Sequence, residues 1–348
     1  MTDFKPQLKA CGVGSLPHAD PKLACDLVLK YMPDIPTWPE MPRRSPLESM
    51  YIQFVSHFPG VVIEDGKITV DTTRDLGAGL EKLYGDYIED NTTPYLPGPE
   101  YAVGLTAMLN ALQERGLRLD AIKGQITGPI SQGLQMTDQN LRPVLYDEIL
   151  ADALSKYIAL GAAEQEKFMA QMAPTTILFL SEPYLSAFGS AFFAVSRELV
   201  VRCLEEVFGK LHGLKGVHCC GNTDWSILLA TTTQVLNFDA YNYAETIALY
   251  PREIKDFLNR GGIIAWGIVP ANDGDLAKEN VESLDERLVA AMNLLVAKGV
   301  SFDRLLGTSL ITPSCGFGSI SKEGAVRGLE LLHGLSARLR ERYFGEKT

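Results

Sequence analysis

The sequence lacks the features of a membrane or secreted protein. No apolar run reaches the roughly 18 residues that a membrane-spanning helix needs, and the N-terminus has no apolar core of a signal peptide. Only six cysteines occur among 348 residues, and two of them are adjacent, which is not the pattern of a disulfide framework. These absences predict a cytoplasmic protein in a reducing compartment.

Positive charge is scarce too. The chain carries 32 Lys and Arg against 43 Asp and Glu, a formal net charge of −11, and no cationic cluster stands out beyond Arg43-Arg44. This balance argues against nucleic acid or an anionic membrane surface as a partner. Internal repeats, low-complexity tracts and linkers are also missing. With 46% hydrophobic residues, the chain is expected to fold as one domain over residues 1–348.

A histidine and two cysteines stand at the polar end of a short apolar run at residues 217–222. Side chains alternate along a strand, so His218 and Cys220 face the same way and Cys219 faces the other. An imidazole and a thiolate are ligands of Zn²⁺, which is usually four-coordinate. Cys315 and Asp239 follow two later apolar runs. We predict a zinc site of His218, Cys220 and Cys315, with Asp239 as a weaker fourth ligand.

Strand-like runs alternate with helical patterns along the chain. They lie near residues 9–15, 35–40, 121–126, 175–180, 214–218, 234–238, 263–268 and 305–311. Eight such strands favour an α/β fold of the (β/α)₈ TIM-barrel type. An open doubly wound sheet is the alternative, but residues 12–17 lack the third glycine of its phosphate-binding turn.

A long segment at about 42–118 interrupts this alternation after the second strand. It is predicted to contain a helix over 46–57, a β-hairpin over 61–70 with an Asp-Gly turn, and helices over 74–90 and 99–115. We therefore expect a helix-hairpin-helix insertion, placed over the mouth of the barrel. A lid, a docking surface and a dimer contact are all compatible with such a segment.

The polar residues of interest share one position in this scheme. Active sites of these barrels lie at the carboxyl ends of the strands. Seven side chains lie at predicted strand ends and are expected to converge on one mouth: Ser15, Glu40, Glu182, His218, Cys220, Asp239 and Cys315.

The same strand ends resemble a known superfamily. It comprises the catalytic barrel of cobalamin-independent methionine synthase, the methylcobamide:coenzyme M methyltransferases and uroporphyrinogen decarboxylase. Residues 14–17 resemble the family's Gly-Ser-Phe-Pro, residues 38–40 its His-Gly-Glu, residues 127–130 its Gly-Pro-Val-Thr turn, and residues 181–183 its Asp-Glu-Pro. Residues 218–222 are similar to the His-Ile-Cys-Gly motif of the methylcobamide enzymes, and residues 313–316 resemble Asn-Pro-Asp-Cys-Gly of methionine synthase.

Three departures from the family pattern bear on the substrates. Ser181 replaces the Asp of Asp-Glu-Pro, no histidine follows the seventh strand at residues 267–273, and nothing corresponds to the separate N-terminal half of methionine synthase. These departures weaken the case for homocysteine and folate without touching the metal ligands. A methylated corrinoid on a partner protein is then the more plausible methyl donor.

The resemblance implies a zinc-dependent methyltransferase that acts on a small thiol such as homocysteine or coenzyme M. Glu40 is the candidate for orienting the acceptor, with Ser15 adding contacts. Glu182 is assigned to the catalytic site as a partner of the residues that contact the substrate, with the alternative that it only satisfies backbone amides beside Pro183. Two alternatives remain open at this point. One is a uroporphyrinogen-decarboxylase-like enzyme acting on a tetrapyrrole, and the other is a non-catalytic barrel that binds zinc or a corrinoid.

Overall fold

A parallel β-sheet lies at the centre of the α/β structure, a computed structural model that describes residues 4–190 and 194–346. The strands in these ranges are β1 (Lys9–Ala10), β2 (Val61–Glu64), β3 (Lys67–Val70), β4 (Ala121–Thr127), β5 (Thr137–Asp138), β6 (Thr175–Ser181), β7 (Leu214–Cys219), β8 (Val235–Phe238), β9 (Ile263–Val269) and β10 (Ser309–Pro313). Seven of them form one sheet in the order β1-β10-β9-β8-β7-β6-β4, and every neighbouring pair is parallel.

Helices follow most of these strands. They are α1 (Pro21–Tyr31), α2 (Gly77–Glu89), α3 (Pro99–Arg115), α4 (Pro129–Gln135), α5 (Glu148–Met169), α6 (Arg197–Phe208), α7 (Trp225–Leu229), α8 (Ala240–Ile247), α9 (Pro251–Asn259), α10 (Asp273–Leu276), α11 (Val281–Val296), α12 (Phe302–Gly307) and α13 (Lys322–Phe344). The start of α1 follows from its sequence, because the Asp20 carboxylate accepts hydrogen bonds from the Lys22 and Leu23 amides and Pro21 takes the first helical position.

The strands predicted between residues 121 and 268 are confirmed to within one residue at either end. The last strand begins later than the predicted residue 305, since α12 occupies residues 302–307 and β10 begins at Ser309. Ser301 caps α12 by accepting a hydrogen bond from the Arg304 amide, so the apolar residues of this stretch belong to a helix turn.

The predicted second strand, residues 35–40, is not a regular strand. Pro36 and Pro39 lack the amide hydrogens that a strand interior needs. The segment still pairs on both sides. On one side Lys123 N–H donates to Pro36 O at 3.0 Å, and on the other Glu40 N–H donates to Gly14 O at 3.2 Å. Residues 36–40 therefore connect β4 to the continuation of β1, and the sheet between these edges is curled.

Two apolar cores mark the two faces of this curled sheet. The larger core packs the helices against the outer face. The smaller one joins side chains from strands around the sheet: Cys11, Ile35, Ala121, Ile177, Phe179, Leu214, Val235, Ile263, Ala265 and Leu310. Burial on both faces explains why β4 and β9 are buried at every position, as is typical of parallel strands.

The segment between residues 42 and 118 contains a small separate sheet. β2 and β3 pair antiparallel around the turn at Asp65-Gly66, and β5 adds a parallel two-residue edge that the sequence did not predict. Helices α2 and α3 lie close to the predicted positions. The helix predicted over 46–57 is wrong: only Pro46–Glu48 forms a 3₁₀ turn, and irregular turns follow. Residues 52–55 are all buried, so this segment contacts the rest of the protein on several sides. An amphipathic helix would bury only one side.

Within the described residues, no helix combines the length and the apolar character needed to cross a membrane.

Candidate metal centre and cavity

Three of the predicted ligands come together at one point. The ligand atoms of His218, Cys220 and Cys315 all lie within 4.8 Å of one another. His218 lies in β7, Cys220 directly follows that strand, and Cys315 follows β10 across the curled sheet. We call these three residues the metal corner. Two thiols and an imidazole at this spacing suit Zn²⁺, which binds sulfur and nitrogen ligands tetrahedrally.

Asn237 orients the histidine of the metal corner. Its Oδ1 lies 2.6 Å from His218 Nδ1, and the strand register sets the two residues side by side on β7 and β8. The Asn237 amide nitrogen donates to Ala265 O and Thr312 Oγ1, which fixes Oδ1 as the atom that faces the imidazole. Because an amide oxygen can only accept, Nδ1 carries a proton and Nε2 is left as the ligand atom.

The two thiols of the metal corner differ in acidity. A hydrogen bond from Cys315, and after it one from His218, lowers the pKa of Cys220 to about 4. The contact with Cys220 raises the pKa of Cys315, and burial raises it further. One sulfur of the pair is therefore held as a thiolate, the form in which cysteine binds metals.

Asp239, predicted as a weaker fourth ligand, lies outside the group of three. It caps α8: Oδ1 accepts from the Asn242 backbone amide at 2.9 Å, and Oδ2 accepts from the Asn242 side chain at 2.7 Å. Burial raises the pKa of Asp239, and the nearby Cys220 adds to the increase. Both carboxylate oxygens are engaged in this arrangement, so its place as a ligand stays a prediction.

The metal corner opens onto a cavity of about 460 Å³. All three residues of the metal corner contribute to its wall, together with Ser15, Glu40, Arg43, Met50, Tyr51, Ile126, Thr127 and Ser181 among others. Met50 and Tyr51 come from the irregular turns after the 3₁₀ helix, so the segment between the second and third predicted strands contributes to the cavity wall. The wall combines apolar surface with a few polar groups, as is common in small-molecule sites.

Glu40 is the buried carboxyl group of this cavity. It is 7% exposed, and burial raises its pKa to about 7, against the opposing effects of Lys123 and a hydrogen bond with Gln125. Glu48, which pairs with Arg44, adds to the increase. The structure therefore places Glu40 where the sequence predicted it, in the same cavity as the metal corner.

Lys123 and Gln125 are two residues of this region that sequence reasoning missed. Lys123 is fully buried on β4, where Nζ donates to Val13 O and to Gln125 Oε1 at 3.0 Å and lies 4.7 Å from the centre of the Phe179 ring. We call Glu40, Gln125 and Lys123 the carboxylate corner. The strand periodicity could have indicated them. Residues 121, 123 and 125 are every second residue of β4, so their side chains share one face of the sheet, and that face is the inner one.

Ser15 lines the cavity and also holds the loop that carries Cys315. Its carbonyl accepts from the Phe317 amide at 2.9 Å, and its Oγ accepts from the Gly318 amide at 3.3 Å. A Cβ at position 316 would lie 2.1 Å from Ser15 Oγ, so this close approach requires glycine there. The predicted substrate-contact residue thus has a structural role in addition to its place on the wall.

Glu182, predicted as a catalytic carboxylate, is not among the residues that line the cavity. It is fully buried, and its two oxygens accept from the Ile130 and Ser131 amides at 3.0 and 2.7 Å. A Cβ at Gly128 would lie 2.2 Å from Glu182 Oε1, so glycine is needed for the turn into α4. Burial raises the pKa of Glu182 to about 7. The residue stabilises the start of α4 through these amides, and its catalytic role stays a prediction.

Known proteins resemble this chain in structure and not detectably in sequence. No protein-family model matches the sequence, and none of the curated proteins matches it. A B12-independent methionine synthase from Shewanella sp. W3-18-1, in complex with selenomethionine, superposes with a TM-score of 0.58 at 15% identity over 97% of this chain and 100% of that one. A methyltransferase from Methanosarcina mazei gives a TM-score of 0.58 at 13% identity over 99% of this chain and 95% of that one. Cobalamin-independent methionine synthases and methyltransferases are thus structural neighbours, as the motif resemblance predicted, and the chain shares their fold.

Proposed function

We propose that the protein is a zinc-dependent methyltransferase that transfers a methyl group to a small thiol. The observation that carries the proposal is the metal corner, where two thiols and an oriented imidazole face a cavity of about 460 Å³. The structural neighbours include enzymes of methyl transfer, which supports the same reaction class. We also infer that residues 36–40 complete the predicted (β/α)₈ barrel and that residues 42–118 form its insertion. We further infer that the protein is cytoplasmic.

The number of ligands favours an enzyme over a non-catalytic zinc-binding barrel. His218, Cys220 and Cys315 supply three ligand atoms, while Asp239 is engaged by Asn242. Catalytic zinc sites keep one coordination position open for water or substrate, whereas structural sites are closed by four protein ligands. A bound Zn²⁺ would lower the pKa of an acceptor thiol, so that the sulfur is the reactive thiolate at neutral pH.

The cavity walls would bind and orient the acceptor. We propose that Glu40 contacts a polar or cationic group of the thiol substrate and that Met50 and Tyr51 cover its apolar part. The acceptor sulfur attacks the methyl carbon, a new carbon–sulfur bond forms, and the bond between methyl and donor breaks with its electron pair remaining on the donor. Excluding water from this step strengthens the electrostatic contacts around it.

For the donor we propose a methylated corrinoid carried by a partner protein. The support is the resemblance of residues 218–222 to the methylcobamide enzymes. The test supplies methylcobalamin and methyltetrahydrofolate separately to the zinc-loaded protein with a panel of thiols. Methylation from methylcobalamin alone is expected, and methylation from the folate alone would overturn the choice of donor.

The metal is tested first. We expect about one zinc per chain in protein purified without chelators, and loss of that zinc in Cys220→Ala and in Cys315→Ala, as measured by elemental analysis. Cys219→Ala is the matched control, because Cys219 is adjacent to Cys220 but points into the apolar core. A wild-type protein that neither contains nor takes up zinc would contradict the proposed function.

A further inference from the structure

The carboxylate corner contains a buried charge that the proposed chemistry does not use. Lys123 has no exposed surface, and among the described residues it forms no ion pair. An ammonium group buried without compensation is costly, and isolated charges of this kind are rarely kept in a protein interior. The contacts of Lys123 with Val13 O, with Gln125 and with the Phe179 ring satisfy part of this requirement.

Gln125 joins this ammonium to the cavity. Its Oε1 accepts from Lys123 Nζ at 3.0 Å, and its amide nitrogen donates to Trp38 O at 3.3 Å, two residues before Glu40. The interaction of Gln125 with the Glu40 carboxylate lowers the pKa of Glu40. Gly14, with φ +151°, makes room for this amide, since a Cβ there would lie 2.7 Å from Gln125 Cδ. The Lys123 ammonium is thus hydrogen-bonded to the same amide that interacts with Glu40 on the cavity wall.

We infer that Lys123, acting through Gln125, is a positioning residue that favours the ionised form of Glu40 at the cavity wall. A carboxyl group as buried as Glu40 would otherwise favour its neutral form. The opposing influence is Glu48 from the Pro46–Glu48 turn, which Arg44 neutralises in part. With Glu40 ionised, the cavity presents a negative charge for a cationic group of the acceptor, a use that rests on the proposed function.

The protonation of Glu40 can be read directly in the full-length, metal-free protein. Glutamate is labelled with ¹³C at the side-chain carboxyl carbon, the Glu40 resonance is assigned by its loss in Glu40→Gln, and its shift is followed against pH. In Lys123→Met we expect the midpoint to rise by about one pH unit, the low end of the effect of a nearby opposite charge. An unchanged midpoint would overturn the inference.

Two further variants separate the charge from the packing. Gln125→Met keeps the ammonium but removes the connecting amide, so the midpoint should rise again, and this variant carries the test if Lys123→Met fails to fold. Glu48→Gln removes the like charge and should lower the midpoint. A rise in Glu48→Gln as well would show that any disturbance of this region shifts Glu40, and would contradict the assigned role of Lys123.

Substrate binding provides a second readout. In the zinc-loaded protein, Lys123→Met should raise the KM for cysteamine, which carries an ammonium group, more than the KM for the uncharged 2-mercaptoethanol. The titration itself needs neither metal nor thiol. A protein that binds no zinc but shows the midpoint shift would therefore refute the proposed function alone, and a zinc enzyme without the shift would refute only the role of Lys123.

Discussion

The metal corner and the carboxylate corner share one cavity but are built in different ways. The metal corner lies at the ends of regular strands, and the neutral amide of Asn237 fixes its histidine. The carboxylate corner depends on the irregular residues 36–40 and on a charged side chain inside the sheet. Soft ligands need orientation, which strand geometry supplies, whereas a buried carboxylate needs charge compensation, which has to come from another part of the chain.

A second contrast shows that burial alone does not make a carboxylate functional. Glu40 and Glu182 both lie at the ends of predicted strands, and burial raises the pKa of each to about 7. Both carboxylate oxygens of Glu182 accept hydrogen bonds from backbone amides of α4, whereas Glu40 lines the cavity. The partners of the oxygens, and not the acidity, separate the structural residue from the candidate binding residue.

The largest expected effect that would test this contrast between Glu40 and Glu182 is on the free energy of unfolding. Glu182→Leu leaves the Ile130 and Ser131 amides buried without an acceptor, and each unsatisfied group costs about 1–3 kcal/mol. We expect the free energy of unfolding to fall by about 3 kcal/mol, measured by denaturant titration, with zinc content of the folded protein unchanged. Unchanged stability would contradict the structural role of Glu182.

The pH dependence of the same residue has a defined sign. The pKa of Glu182 rises from 4.5 to about 7 on folding, so the carboxyl contributes stability below pH 4.5 that is lost as the pH rises through about 7. Glu182→Gln does not titrate and is the control. The stability of the wild type relative to this variant should decrease between pH 5 and pH 8, and an increase would show that the folded protein favours the ionised form.

The sequence predicted the metal corner better than the carboxylate corner, for a physical reason. His218, Cys220 and Cys315 lie at the carboxyl ends of apolar strands, so the ends of parallel strands bring them together without detailed knowledge of the loops. Residues 36–40 do not form a regular strand because their prolines lack amide hydrogens. The conformation of the turns after residue 48 is determined by contacts with the rest of the protein. The role of Lys123 depends on contacts with residues more than a hundred positions away, such as Val13, which no local pattern contains.

A smaller effect would test how the metal corner is supported. Asn237→Leu removes the acceptor of His218 Nδ1, and loss of such a partner weakens metal binding by about 10- to 100-fold. Asn237→Asp restores the acceptor but loses the donor to Ala265 O and Thr312. We expect the zinc affinity of this variant, measured by competition with a chelator, to stay close to that of the wild type. If both variants weaken zinc binding equally, Asn237 supports the site through packing and not through its hydrogen bond to His218.

The smallest expected effect concerns the charge at the cavity rim, where the two corners would meet one acceptor. Arg43 lines the cavity and donates to Ser319 O at 2.7 Å, whereas Arg44 pairs with Glu48 and is not part of the lining. Arg43→Gln should weaken binding of 2-mercaptoethanesulfonate about tenfold, the value of one charge-assisted hydrogen bond. Binding of cysteamine and 2-mercaptoethanol should not weaken, and Arg44→Gln should leave the affinity for the sulfonate unchanged. Calorimetric titration of the zinc-loaded protein measures each affinity. If Arg43→Gln leaves the sulfonate unaffected, recognition lies with the carboxylate corner alone, and a cationic acceptor is favoured over an anionic one.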